Sequence, residues 1–248
     1  MDFNSQTDAD GVVESSFLLG DVPGVMWSPV SAPAGAPIVL MGHGGGLSKA
    51  APGLVARARG LVLGHGFHAV AIDAPGHGAR ERSAADRELV AEIGAARRSG
   101  GSIVPFVDRL NESLAERAVP EWQAVMDALQ TAPGLEASAF GYTGMTLATA
   151  IGVPLAAADA RIRAAVFGGF YDFPWVTEAA ARVTIPIEFI LSWDDGELDR
   201  PSGLALFDAF GSRDKVLRAH TGDHRHVPAS LAEDSNRFLV RVLTGVSG

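Results

Sequence analysis

Between Ala139 and Leu147 the chain changes character within a few residues. An apolar strand pattern, Ala139-Phe-Gly-Tyr-Thr143, gives way to an apolar helix pattern that begins at Leu147, and the joint is Gly144-Met-Thr-Leu-Ala148. A turn this sharp brings strand and helix backbones close together, so the positions two before and two after its apex must be small. Gly144 and Ala148 meet that demand, and Thr146 is left at the apex with its hydroxyl on a strained corner. This is the form of a nucleophile elbow with threonine where serine is usual. Gly141-Tyr-Thr143-Gly-Met145 offers a second register, but it would put Met145 at a crowded site; the Thr146 register is the one the residue sizes predict.

At 248 residues and 47% hydrophobic content the chain can bury a sizeable core, and no linker interrupts it, so a single domain over residues 1–248 is expected. The 20 basic residues are scattered and the net charge is −9, which argues against a nucleic-acid partner. With no cysteine there is no disulfide framework, thiolate metal site or cysteine nucleophile. No Lys or Arg precedes Lys49 and no apolar run reaches membrane-spanning length, so a cytoplasmic protein without a membrane partner is expected. Oligomeric state leaves no trace in the sequence.

Strand and helix patterns alternate along the chain. The residues up to about Val12 are polar and acidic and are expected to fray. Extended stretches at Ser16 to Leu19 and Gly24 to Ser28, separated by the turn signal Asp21-Val-Pro-Gly24, predict a hairpin. Ala36 to Met41 and Phe67 to Ile72 read as buried strands with a helix between them over Ala50 to Leu63, the pattern of a parallel crossover. From about Ala79 to Ala118 the sequence is charged, Ala-rich and helical, broken at Ser99-Gly-Gly-Ser102, and reads as an insertion or cap reaching to about residue 120. A helix near Glu121 to Leu129 follows. Strand candidates at Ile162 to Phe167, Ile187 to Leu191 and Lys215 to Ala219 and a closing helix over Ala229 to Leu243 complete an α/β chain.

Acyl chemistry at a hydroxyl needs a base to take the proton, a carboxylate to orient the base and amide donors facing the developing oxyanion. Candidates for all of these occur in one order: Thr146 at the elbow, Asp194 and Asp195 after the Ile187 strand, and His224 and His226 after the last strand. The glycine run His43-Gly-Gly-Gly46 follows an earlier strand. Together with Asp73-Ala-Pro-Gly-His-Gly78, Trp193-Asp-Asp-Gly-Glu-Leu198 and Gly222-Asp-His224, these motifs resemble the α/β-hydrolase family, in particular its dienelactone-hydrolase-like and small bacterial esterase branch. The resemblance covers nearly the whole chain. It implies a mostly parallel, twisted sheet of about eight strands with helices on both faces and a small helical cap. It also implies Asp195 rather than Asp194 as the acid, from the spacing Asp195-Gly-Glu-Leu198, and His224 as the base with His226 in reserve. The amides of Leu147 and Gly45, with Gly44 close behind, would form the oxyanion hole.

Other readings of these residues are plainer. Gly42 to Lys49 follows a strand as a phosphate loop would, but Leu47 and Ser48 stand where that motif needs glycine and lysine. His65 and His68 flank a helix-to-strand turn, and for them as for the histidines near Asp223 a zinc site would need three converging ligands and a second shell that spacing does not show, so no metal or other cofactor is expected. Asp73 and His77 shape a turn. Phe106 and Trp122 are candidates to line a substrate cavity, although Trp122, Val125 and Leu129 share helical spacing and suit core packing equally. Arg97 and Arg98 suit a solvated helix face more readily than a carboxylate site.

Threonine at the elbow crowds an approaching carbonyl with its γ-methyl and strains the backbone more than serine would. With the acid, base and glycine loop all present, the expected activity is hydrolysis or acyl transfer on a small-molecule ester, thioester or lactone, through Thr146, His224 and Asp195. Two alternatives stay open: non-covalent acid–base chemistry such as carbon–carbon cleavage, elimination or cyclisation, and ligand binding on a catalytically silent fold.

Overall fold

Val39, Met41, Ala69, Ala71, Ala164 and Val166 pack on one side of a central sheet, and Ile38, Leu40, Val70, Ile72, Ala165 and Phe167 on the other; none is more than 1% exposed. Strands covered on both faces must read as continuous apolar runs, which is why these segments show little alternation in sequence. The computed structural model describes residues 2–135 and 139–245. Its strands are β1 (Asp2–Ala9), β2 (Val12–Leu19), β3 (Val22–Pro29), β4 (Ile38–Met41), β5 (His68–Ile72), β6 (Phe140–Thr143), β7 (Ile162–Gly168), β8 (Ile187–Ser192) and β9 (Lys215–His220). They form one sheet in the order β1-β2-β3-β5-β4-β6-β7-β8-β9. From β5 to β9 all pairings are parallel, and β1, β2 and β3 join antiparallel at one edge.

Helices α1 (Pro52–His65) and α7 (Ala229–Thr244) cover one face. On the other lie α3 (Val104–Gln130), α4 (Leu147–Ala158), α5 (Pro174–Arg182) and α6 (Arg200–Ala209). Helix α2 (Ala84–Ser99) stands apart, for Asp86 is its only buried residue. A capping box between Ser83 and Asp86 starts α2, and Asp86 also accepts from Arg117 of α3 at 2.8 Å, tying the two helices together. No helix of the described residues is long and apolar enough to cross a membrane.

The sheet has nine strands among the described residues rather than about eight, because the amino terminus does not fray. It forms β1, whose Gln6, Thr7, Asp8 and Ala9 are exposed and whose backbone pairs with β2 from Asp2 to Ala9. An edge strand exposed to water needs no apolar face, so its polar sequence hid it. The hairpin forms as expected, but its turn is at Gly20-Asp21, two residues before Pro23. Gly24 lies within β3, where a β-carbon would fall 2.0 Å from the Phe17 ring. Close approach, not turn geometry, requires glycine there. The helix expected near Glu121 to Leu129 is the end of α3, which runs through Pro120 without stopping. Tertiary burial of Leu114, Ala118, Trp122, Val125 and Leu129 along one stripe outweighs the backbone bond that the proline removes.

All the parallel strands deliver their carboxyl ends to one edge of the sheet. Next to β4 the order reverses, with β5 on one side and β6 on the other, and the crevice outside such a switch point is where open α/β sheets bind ligands.

Candidate functional site

Thr146 has φ 57° and ψ −119°. Asp10 is the only other non-glycine residue with positive φ among those described. For a β-branched side chain this conformation is an outlier that costs roughly 1–3 kcal/mol, and it persists only where the surroundings impose it. Here they do. A β-carbon on Gly144 would lie 2.3 Å from the Ala148 Cβ, and one on Gly42 would lie 2.5 Å from the same atom. Tyr142 Oη donates to the Ala148 carbonyl at 2.7 Å, Thr146 N donates to the Gly168 carbonyl at 3.1 Å, and Thr149 Oγ1 lies 2.7 Å from that same oxygen. Strand, turn and helix therefore interlock around the threonine. Thr143, the other register, is buried at the end of β6, and its hydroxyl accepts from Arg57 Nη2 at 2.5 Å.

The loops after β8 and β9 bring Asp195 and His224 together. Asp195 Oδ2 lies 2.6 Å from His224 Nδ1 and accepts the His224 amide at 2.7 Å, while Oδ1 accepts the Glu197 and Leu198 amides at 2.9 and 3.0 Å. Burial alone would raise the Asp195 carboxyl; these four donors outweigh it and lower the group to about 2. The side chain is 1% exposed. The alternatives sit elsewhere: Asp194 is exposed, with one long contact from Gly222 N at 3.4 Å, and His226 is exposed and paired with Asp223.

The glycine run lies against the elbow. A β-carbon on Gly44 would approach Thr146 Oγ1 to 3.0 Å, and Gly45 and Gly46 line the same cavity as Thr146. His43 anchors the run by accepting the Ala74 amide at Nε2 and donating from Nδ1 to the Gly44 carbonyl, both at 3.0 Å. These bonds fix one neutral tautomer, and burial holds its pKa below the usual histidine value. Leu147, the first residue of α4, follows the threonine directly, so its amide is one that the helix itself does not use. Asp73 is fully buried in the turn after β5, where it accepts from Lys49 Nζ at 2.6 Å and from the Lys49 and Ala79 amides. That contact also accounts for Lys49, which a phosphate loop would have directed at a ligand.

A cavity of about 380 Å³ opens above the elbow and contains Thr146, Leu147 and His224 in its wall. Its far wall comes from α2 and α3, through Val90, Ile93, Val107, Leu110 and Leu114. Phe170 and Tyr171, after β7, close another side. Neither Trp122 nor Phe106 belongs to this wall. Trp122 is 2% exposed and meets Tyr142 edge to face in the core beneath the elbow, the packing that its helical spacing allowed. Phe106 lies under the guanidinium of Arg109 on α3. Other residues take their place, among them His77, expected only to shape a turn, and Asn111. Arg97, assigned to a solvated face, reaches the cavity rim and donates to Glu197 at 3.0 Å. No hydrogen bond joins the Thr146 hydroxyl to His224 among the described residues.

A scan against protein families finds no match, and a search of curated proteins finds none. Solved structures do match. A cold-adapted esterase from an Arctic intertidal metagenomic library, in a polyethylene glycol complex, is 29% identical with a TM-score of 0.78; the match covers 98% of this chain and all of that one. An esterase of Pyrococcus furiosus matches with a TM-score of 0.68 at 11% identity, over 96% of this chain and 93% of the other. Dienelactone hydrolase from Anabaena variabilis matches with a TM-score of 0.63 at 17% identity, over 98% of this chain and 99% of the other. At those lower identities the likeness is one of fold, and the metagenomic esterase adds similarity of sequence over nearly the full length. The interlocked elbow, the strand order and these neighbours agree: the chain has the α/β-hydrolase fold, and it is similar in structure to esterases and to a dienelactone hydrolase.

Proposed function

We propose that the protein hydrolyses, or transfers the acyl group of, a small-molecule carboxylic ester, thioester or lactone. The observation that carries this reading is Thr146, held at a strained φ of 57° on the wall of the same cavity as His224, whose Nδ1 is held by Asp195. Thr146 Oγ1 attacks the carbonyl carbon and its proton passes to His224 Nε2. The tetrahedral oxyanion is met by the amides of Leu147 and Gly45, with Gly44 beside them, at the positive end of α4. On collapse, the same proton goes to the leaving alcohol. Water, deprotonated by His224, then releases the acid and restores the threonine. Residues of about 79–120, with α2 at their centre, act in this reading as a helical cap within a single domain over 1–248. The esterases among the structural neighbours support the reaction class.

Incubation with a fluorophosphonate and peptide mass spectrometry is the direct test. An adduct on Thr146, together with turnover of p-nitrophenyl butyrate, is expected. A second reading is favoured by the missing Thr146–His224 hydrogen bond: His224 acts as a base on a bound substrate while Thr146 only donates a hydrogen bond. Thr146→Val separates the two, since near-complete loss of activity belongs to the nucleophile and a modest loss to the donor.

The cap bears on kinetics as well. Glu197 accepts from Arg97 of α2 at 3.0 Å and from Arg225, next to His224, at 2.6 Å. It therefore fastens the end of the cap helix to the loops that carry Asp195 and His224. These groups are partly exposed, so each pair is weak and sensitive to salt. Glu197→Gln is expected to raise KM by about threefold with little change in kcat, consistent with a contact of a few tenths of a kcal/mol to 1 kcal/mol. Added sodium chloride should raise KM in the parent and have little effect in the variant; steady-state kinetics at two salt concentrations check both.

A further inference from the structure

Most polar groups that reach the cavity are already satisfied. Asp86 is held by Arg117 and Ser83, Glu197 by Arg97 and Arg225, and Tyr171 Oη donates to the Glu197 carbonyl. Arg82 lines the mouth and is exposed to solvent. Besides Thr146 and His224, two side chains remain, and each carries an acceptor without a donor.

Asn111 is 8% exposed, and its Nδ2 donates to the Val107 carbonyl one helical turn back, at 2.7 Å. That bond fixes which way round the amide sits, and it leaves Oδ1 without a donor. This oxygen is not sealed in the interior: the buried, unpartnered side-chain atoms among the described residues are Arg57 Nε and Asn236 Oδ1. Asn111 Oδ1 is thus accessible, on a residue that lines the cavity together with Val107, Leu110 and Leu114. His77 repeats the pattern. It is 8% exposed, its Nδ1 lies 2.9 Å from the Pro75 carbonyl and must carry the proton, and Nε2 is left as a lone-pair acceptor on the cavity wall. Burial disfavours protonation of this imidazole and keeps that acceptor available.

A ligand that is apolar throughout would cover both acceptors and leave them without donors, at a cost for each buried oxygen or nitrogen. We infer that the cavity is built for an ester whose apolar arm carries a hydroxyl group, with Asn111 Oδ1 and His77 Nε2 as the acceptors that select it. This rests on reading the cavity as an esterase site, so the test separates recognition from turnover.

Full-length Thr146→Ala is titrated calorimetrically with matched ester pairs in which a terminal hydroxyl is replaced by a methyl. One pair carries the difference on the acyl arm and one on the alcohol arm. In at least one pair the hydroxyl ester is expected to bind about tenfold more tightly, the effect of one well-made hydrogen bond. Adding Asn111→Leu should remove that preference while the methyl ester binds as well or better, and His77→Leu should reduce it in part. Equal binding of hydroxyl and methyl esters in both pairs overturns the inference, and this comparison needs no second variant. A preference that survives Asn111→Leu and His77→Leu together overturns it as well. Turnover of the same esters by the parent protein is read separately: binding preference without hydrolysis counts against the acyl-transfer reading and leaves the subsite standing.

Discussion

Replacing Thr146 by alanine is expected to lower the turnover of activated esters by about three to four orders of magnitude, the scale on which loss of an attacking hydroxyl is felt when the oxyanion donors and the binding cavity remain. Stability should move the other way. The φ of 57° strains a β-branched residue most, alanine less and glycine least. Thr146→Ala should therefore be at least as stable as the parent, and Thr146→Gly more stable by about 1–2 kcal/mol. For a chain of this size that corresponds to a rise in Tm of roughly 2–8 °C. Differential scanning calorimetry alongside initial rates checks both. Thr146→Ser keeps the hydroxyl and removes the methyl that crowds the carbonyl, and a severalfold gain in rate is expected. A serine variant slower than the parent would mean that the methyl orients the hydroxyl rather than obstructing it.

That threonine was visible in the sequence because its neighbours obey two constraints at once. The apolar period changes from strand to helix across it, and Gly144 and Ala148 stand where the backbones nearly touch, 2.3 Å being too close for any β-carbon on Gly144. Sterics of this kind leave a mark in a single sequence. Asp195 and His224 were placed by family likeness rather than by local pattern, since Asp194 and His226 have the same chemistry one or two positions away; only folding decides which carboxylate collects four donors. Polarity misled the reading of β1, whose edge position lets backbone pairing proceed without apolar side chains. Proline misled the reading of α3, where the buried stripe continues through Pro120. Helices α5 and α6 both begin with proline in the first turn, so the sequence carries a start signal for each at Pro174 and Pro201. The place of Asn111 and His77 in the cavity wall is not legible in the sequence. What distinguishes them is the direction of one unpaired acceptor, and that depends on contacts to Val107 and Pro75 which spacing along the chain does not encode.

Asp195→Asn is the second substitution with a large expected effect, because an amide cannot satisfy the geometry that the carboxylate does. Oδ1 receives two backbone amides and Oδ2 receives the amide and the imidazole Nδ1 of His224, so every neighbour is a donor. If the asparagine oxygen stays with the Glu197 and Leu198 amides, its NH2 group faces His224 and drives the imidazole proton from Nδ1 to Nε2. The base then has no lone pair at the atom that should take the threonine proton. If the side chain is reversed, the NH2 group confronts the two loop amides and the acid loop must shift. Either arrangement predicts a fall in kcat of about three to four orders of magnitude with KM little changed, and at least about 1–3 kcal/mol of lost stability from donors left without an acceptor. The same carboxylate sets a pH dependence whose sign follows from its lowered pKa. Its stabilising effect is complete above the ordinary aspartate value of about 4 and is lost as the pH falls toward about 2, where the folded protein takes up the proton. Guanidinium unfolding of parent and variant at neutral pH and at progressively lower pH should show the gap between them narrowing over that interval. A gap that stays constant would mean that the four donors do not hold the carboxylate in its charged form.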